Sequence, residues 1–175
     1  NNITLKGDGA VQNGGSFKGN FTLNGTLWAS SALNIIGGKT ATLQSGTMAG
    51  KLTGGGNTVV SGAVSLQGGR IQTNKLTISG ASAKLTADKS GLSMNKANSA
   101  ISVASKGTLN SSGAITAKSL TVSGSSKVNA KTTAVNNLTL SDKLQVSYSS
   151  MNMYGNVNVG SMVIKNSSLT NKGAY

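Results

Sequence analysis

The chain has 175 residues, with 24 glycines and no proline, cysteine or histidine, and 16 basic against 3 acidic residues give a formal net charge of +13. The absence of cysteine excludes a disulfide framework and any thiolate metal site. The charge predicts attraction to anionic partners such as acidic polysaccharide, nucleic acid or a bacterial surface. No apolar run is long enough to cross a bilayer, so we predict no transmembrane segment.

Along the chain, a short phrase of an apolar, a polar and an apolar residue recurs. Its central polar residues are Thr4, Thr22, Thr42, Thr58, Thr77, Ser102, Thr121, Thr139 and Asn158. The clearest copies, at residues 76–80 and 120–124, read Leu-Thr-Ile-Ser-Gly and Leu-Thr-Val-Ser-Gly. Such alternation is typical of a half-buried strand whose middle residue points outward, and the glycine that follows supplies a turn.

The phrase returns about every 19 residues, and two further apolar positions recur in each interval, represented by Leu85 and Ile71. We therefore predict an all-β fold, a right-handed parallel β-helix (β-solenoid) of about nine coils of roughly 19 residues, with three short strands per coil. A single repeat array then occupies residues 1–175. The longer interval before Ser102 predicts a loop insertion near residues 88–98.

The two ends of the predicted array carry no recognisable cap. Asn1 lies about one residue before the first predicted strand, and Tyr175 stands where a further coil would start. Because one coil buries too little apolar surface to fold alone, each coil needs a neighbour. We expect the chain to be a segment of a longer solenoid, or its copies to stack end to end.

The two Leu-Thr phrases, the coil of about 19 residues, the abundance of Gly, Asn, Ser and Thr and the absence of cysteine resemble the β-helical exoproteins of Gram-negative bacteria. These are the filamentous-haemagglutinin-like two-partner secretion proteins and the autotransporter passenger domains. The resemblance covers essentially the whole chain. It implies a secreted, surface-displayed fibre that acts in adhesion, aggregation or biofilm formation.

The acidic residues are too far apart for catalysis by paired carboxylates. Asp8 and Asp88 lie about four predicted coils apart and Asp88 and Asp142 about three, on the order of 20 and 14 Å at about 4.8 Å per coil. No histidine is available as a base. We therefore predict no enzymatic activity, no cofactor and no metal site.

The nine central polar residues form a candidate surface ladder. If the coils stack in register, their side chains lie about 4.8 Å apart on one flat face. Threonine is a good strand former on an exposed face, and that alone accounts for such a ladder. The functional alternatives are an ice-binding face and a lateral packing surface between filaments.

Lys84, Lys127 and Lys165 fall at about the same place in their predicted coils. Like charges this close repel unless an anion bridges them, so these lysines are candidate contacts for acidic polysaccharide or extracellular DNA, bound without sequence specificity. Solubility and protection of sheet edges are the alternative. Trp28, Tyr148 and Tyr154 are candidate platforms for sugar rings, and only the two tyrosines together are expected to form a site.

We interpret the chain as a non-catalytic, secreted or cell-surface segment of a bacterial surface protein, with a structural and adhesive role. Its partners are then itself, through end-to-end or lateral association, or a longer parent chain, and its ligands are acidic polysaccharide or extracellular DNA. The alternatives are a self-assembling extracellular filament subunit and an ice- or anionic-glycan-binding module.

Overall fold

The computed structural model describes residues 2–94, 99–113, 115–130, 137–147, 150–153, 156–166 and 168–171. Within these ranges the chain consists of short strands and turns with no helix, and the strands pair in parallel. The predicted all-β parallel solenoid is confirmed.

The strands are β1 Ile3–Lys6, β2 Gly9–Val11, β3 Gly15–Phe17, β4 Phe21–Asn24, β5 Leu27–Ala29, β6 Leu33–Ile35, β7 Thr40–Ala49, β8 Lys51–Thr53, β9 Asn57–Val60, β10 Ala63–Leu66, β11 Arg70–Gln72, β12 Lys75–Ser79, β13 Lys84–Ala87, β14 Leu92–Ser93, β15 Ala100–Ala104, β16 Thr108–Ser111, β17 Ile115–Ser123, β18 Lys127–Ala130, β19 Asn137–Ser147, β20 Ser150–Met153, β21 Asn156–Lys165 and β22 Ser168–Asn171.

Three short strands make one turn of the solenoid, as β4, β5 and β6 do, and pairing from turn to turn builds three sides. The first side runs through β1, β4, the start of β7, β9, β12, β15 and the end of β17. The second side runs through β2, β5, the end of β7, β10, β13, β16 and β18. The third side contains β3, β6, β8 and β11, followed by β14 and the start of β17.

The structure shows about six turns of about 19 residues, fewer than the nine predicted. These turns lie between β1 and the first half of β17, where the strands of all three sides are described. Farther along the chain, β19 and β21 pair in parallel with the strands before them, as do β20 and β22. The right-handed sense of the coil stays a prediction.

The core is a stack of apolar columns inside the three sides. One column on the first side consists of fully buried residues that pair in register from turn to turn, namely Leu23, Leu43, Val60, Ile78, Val103 and Val122. In each strand, the residues next to the column member face outward, because successive side chains of a strand point to opposite faces. Full burial of one such aliphatic side chain contributes about 1.5–3 kcal/mol.

The longest interval on the first side lies where the loop insertion is predicted. Thr77 pairs with Ser102, 25 positions farther along the chain, whereas Ser102 pairs with Thr121 after 19. Residues 95–98 lie outside the described residues, so the shape of the insertion stays a prediction.

Stacked glycines turn the chain from the first side to the second. Gly25 and Gly46 occupy this corner in successive turns, with φ angles of +145° and +103°. A methyl group on Gly46 would overlap the carbonyl group of Gly25, and one on Gly25 would overlap that of Gly7. Backbone therefore packs directly on backbone at this corner, an approach that requires glycine.

Candidate binding surface

A rank of outward-facing side chains runs along the first side. In register it consists of Thr4, Thr22, Thr42, Val59, Thr77, Ser102 and Thr121. Successive members lie about 4.8 Å apart along the axis. The structure thus brings together six of the nine predicted ladder residues, and one valine interrupts them.

The prediction that Thr58 belongs to the outward ladder is wrong. It pairs with Ala41 and Leu76, which face inward, and it is fully buried. Strand β9 is one residue out of step with the predicted phrase, and a slip of one residue moves a side chain to the other face of a sheet. Inside the core, the Thr58 hydroxyl oxygen lies 2.9 Å from that of Thr73, so the buried polar group is hydrogen-bonded.

The prediction that Thr139 and Asn158 belong to the ladder is also wrong. Thr139 pairs with Thr116 and with Asn158, on the third side. The residue that follows Thr121 on the first side is instead Gln145, 24 positions farther along the chain. An interval of about 19 residues therefore leads to the wrong side at this point.

Side chains beside the rank connect neighbouring turns. The Asn20 side-chain oxygen accepts a hydrogen bond from the Thr40 N–H at 3.0 Å. The Ser45 hydroxyl donates to the Asn24 side-chain oxygen at 2.6 Å. These amides stabilise the stacking of the turns. Val59 breaks the regular hydroxyl spacing that favours an ice-binding face, and both functional alternatives for the ladder stay predictions.

Two of the three predicted anion contacts share a column on the second side. Lys84 pairs with Thr108, which pairs with Lys127, and both lysines are exposed. The two lysines are separated by two turns of about 4.8 Å each. The prediction that Lys165 shares this column is wrong, because Lys165 pairs with Ser147 on the first side. The interval of 24 residues between Thr121 and Gln145, which places Thr139 on the third side, also places Lys165 on the first.

A longer row of lysines follows the corner where the chain passes onto the first side, and the sequence interpretation missed it. Lys75 begins β12, and Lys39 and Lys118 stand one position before residues that align with Lys75 in the register of this side. Lys18 lies shortly before β4 at the same corner. We call this set the corner row; it consists of Lys18, Lys39, Lys75 and Lys118. The sequence carries a signal for it, namely a lysine one to three positions before several copies of the repeated phrase.

Two cations lie at the starts of neighbouring strands of the third side, because Arg70 in β11 pairs with Lys51 in β8. Burial by itself raises the pKa of the neighbouring Asp88 carboxyl. Hydrogen bonds from the N–H groups of Gly68 and Ser90, together with the charge of Arg70, outweigh burial and hold that pKa below its ordinary value. Asp88 is therefore a charged carboxylate that stabilises a turn rather than a proton donor.

A cavity of about 310 Å³ lies at the first turn and is lined mostly by apolar side chains, among them Leu5 and Phe17. Phe17 stacks on Phe21 with the ring centroids 4.9 Å apart, and Ile3 is 46% exposed at the rim. Within the described residues, β1 pairs with β4 alone.

Of the three aromatic residues considered for sugar contact, Trp28 is exposed in β5 on the second side. Tyr148 and Tyr154 lie outside the described residues. The site formed by the two tyrosines therefore stays a prediction.

In the described part of the chain, no group of three or more His, Cys, Asp or Glu side chains is placed to hold a metal ion. Among the same residues, no helix is long and apolar enough to cross a membrane. Comparison of the chain with protein-family models, with curated proteins and with solved structures gives no match.

Proposed function

We propose that the chain is a non-catalytic structural and adhesive segment of an extracellular bacterial surface fibre, and that it holds anionic polymers on its basic surface. The observation that carries the proposal is the arrangement of lysines in axial rows, namely the corner row and the column of Lys84 and Lys127. The ligands are acidic polysaccharide and extracellular DNA. The repeating phrases and the net charge of +13 support the same function.

The rows run along the axis of the solenoid. Lysines of the corner row recur after one or two turns, or about 5 to 10 Å along the axis. Ammonium groups at that spacing repel one another. A polyanion lying along the row replaces this repulsion with attraction and releases its own counterions. Such binding depends on charge and salt, and a single arginine offers little for reading bases.

Retention on heparin and DNA columns tests the proposal. The triple variant Lys18→Gln, Lys75→Gln and Lys118→Gln removes three exposed charges from the corner row. We expect earlier elution in salt, because fewer counterions are released. The slope of log K against log salt is expected to become shallower by about 2 to 3.

A matched triple variant serves as the control. Lys6→Gln, Lys89→Gln and Lys106→Gln remove the same charge from exposed positions outside the rows. We expect a clearly smaller loss of retention from this variant, with the far-UV circular dichroism of both variants unchanged. Equal losses would assign binding to net charge alone and contradict a role for the rows.

A second candidate function is end-to-end assembly of copies of the chain. Its support is the parallel stacking of the described coils, in which each coil hydrogen-bonds to its neighbour, because a coil of a second copy can pair in the same way.

Electron microscopy at increasing protein concentration tests end-to-end assembly. Fibres that lengthen with concentration are expected, and Ile3→Lys is expected to shorten them because it places a charge at the apolar rim. Thr77→Lys, on the outward face of the middle of the stack, is the control and is expected to leave fibre length unchanged. Monomers at every concentration would rule this candidate out.

A further inference from the structure

One exposed ring stands apart from the polar surface of the second side. Trp28, in the middle of β5, is 49% exposed. Its partners in the adjacent turns are Ala10 and Ala49, which are too small to cover an indole. The ring therefore lies open on a sheet that is paired on both edges at this position.

The core contact of this strand does not depend on the ring. Leu27, its neighbour in β5, is fully buried and supplies the core contact of this strand. Elsewhere on the second side, outward positions include the polar residues Ser65 and Thr86. About half of the Trp28 side chain is in water, and covering that half with an apolar or ring-shaped ligand would be favourable.

Residues with hydrogen-bonding side chains stand near Trp28 in the register of the second side. Asp8 is exposed two positions before Ala10, and Thr47 lies two positions before Ala49. Ser30 is exposed two positions after Trp28 itself. Outward positions along a strand are about 7 Å apart, so these side chains lie within reach of a ligand stacked on the indole.

We propose that Trp28 is the floor of a carbohydrate site that stacks one pyranose ring of a neutral polysaccharide. The C–H bonds on the face of a pyranose carry partial positive charge and the face of an indole carries partial negative charge, so the two surfaces attract. The Asp8 carboxylate accepts hydrogen bonds from sugar hydroxyl groups and repels a uronate or a phosphate. This ligand chemistry differs from that of the basic rows and does not depend on them.

The fluorescence of Trp28 reports on the site directly, because the chain has one tryptophan. We expect at least one of cellohexaose, maltohexaose and chitohexaose, at millimolar concentration, to shift the emission to shorter wavelength and to protect the ring from quenching by acrylamide. In isothermal titration calorimetry, Trp28→Ala is expected to weaken binding about tenfold or more, and Trp28→Phe to weaken it less.

Two further variants separate ring stacking from other surface effects. Ala49→Leu places a branched side chain beside the indole, and we expect it to reduce binding as strongly as Trp28→Ala while the fluorophore stays in place. Thr86→Ala, on the same side three turns away, is expected to leave binding unchanged. Heparin retention is expected to be unaffected by all of these changes, so failure of this site is distinguishable from failure of the basic rows.

Two kinds of outcome would overturn the proposal. One is the absence of a fluorescence change with all three oligosaccharides, or sugar binding that survives Trp28→Ala. The other is Trp28-dependent binding of a single-stranded oligothymidylate in preference to the sugars, since that result identifies a platform for stacking bases.

Discussion

Gly46→Ala is expected to lower the free energy of unfolding by about 3 kcal/mol or more. Gly46 lies at the corner between the first and second sides with a φ of +103°, in the region that favours glycine. A methyl group there would also overlap the carbonyl group of Gly25 in the preceding turn. The two backbones would have to move apart, which weakens the parallel pairing on both sides of the corner.

Alanine substitutions at two other glycines distinguish the cost of backbone strain from the cost of steric overlap. Gly38 has a φ of +74° and open space around its Cα, so Gly38→Ala introduces strain alone, about 1–2 kcal/mol. Gly37 has open space and no positive φ, and Gly37→Ala is expected to change stability by less than about 0.5 kcal/mol. Urea unfolding followed by far-UV circular dichroism gives the ranking. Equal losses for Gly46→Ala and Gly38→Ala would contradict direct packing of the backbones.

Leu85→Ala is expected to lower the free energy of unfolding by about 2–5 kcal/mol. Leu85 is fully buried and pairs with Val64 and Leu109 in the adjacent turns. The cavity that the substitution leaves lies between two coils held by parallel hydrogen bonds. Because those coils cannot close the gap without losing pairing, we expect a loss toward the upper end of this range.

The residue next to Leu85 supplies the control. Thr86 is half-buried on the outward face of the same strand, and Thr86→Ala is expected to cost less than about 1 kcal/mol. Thermal and urea unfolding of the two variants measure the difference. Similar losses for both would contradict the assignment of inward and outward faces on the second side.

Local alternation is sufficient to predict which residues face inward wherever the phrase is clear. Leu76 and Ile78 are fully buried and Thr77 lies between them in the outward rank, as predicted. This inference needs no knowledge of neighbouring turns, because successive side chains of any strand alternate between its two faces.

Where the phrase is weak, contacts between turns decide the register. β9 carries Thr58, Val59 and Val60 in succession, so its own sequence leaves open which of them faces inward. Val60 packs in register with Leu43 and Ile78, and this apolar stacking turns Thr58 into the core. Thr73 then satisfies its hydroxyl.

Residue alternation and spacing were enough to predict an all-β parallel solenoid, a coil of about 19 residues and the inward residues of each clear phrase. They did not predict which side chains meet across turns, which depends on the folded arrangement of the coils. Thr139 lies on the third side, Lys75 lies at the same corner as the other lysines of the corner row, and alanines lie on both sides of Trp28. The lengths of the corners and loops set the partners across turns, because an extra residue there changes which residue of the next coil meets a given side chain.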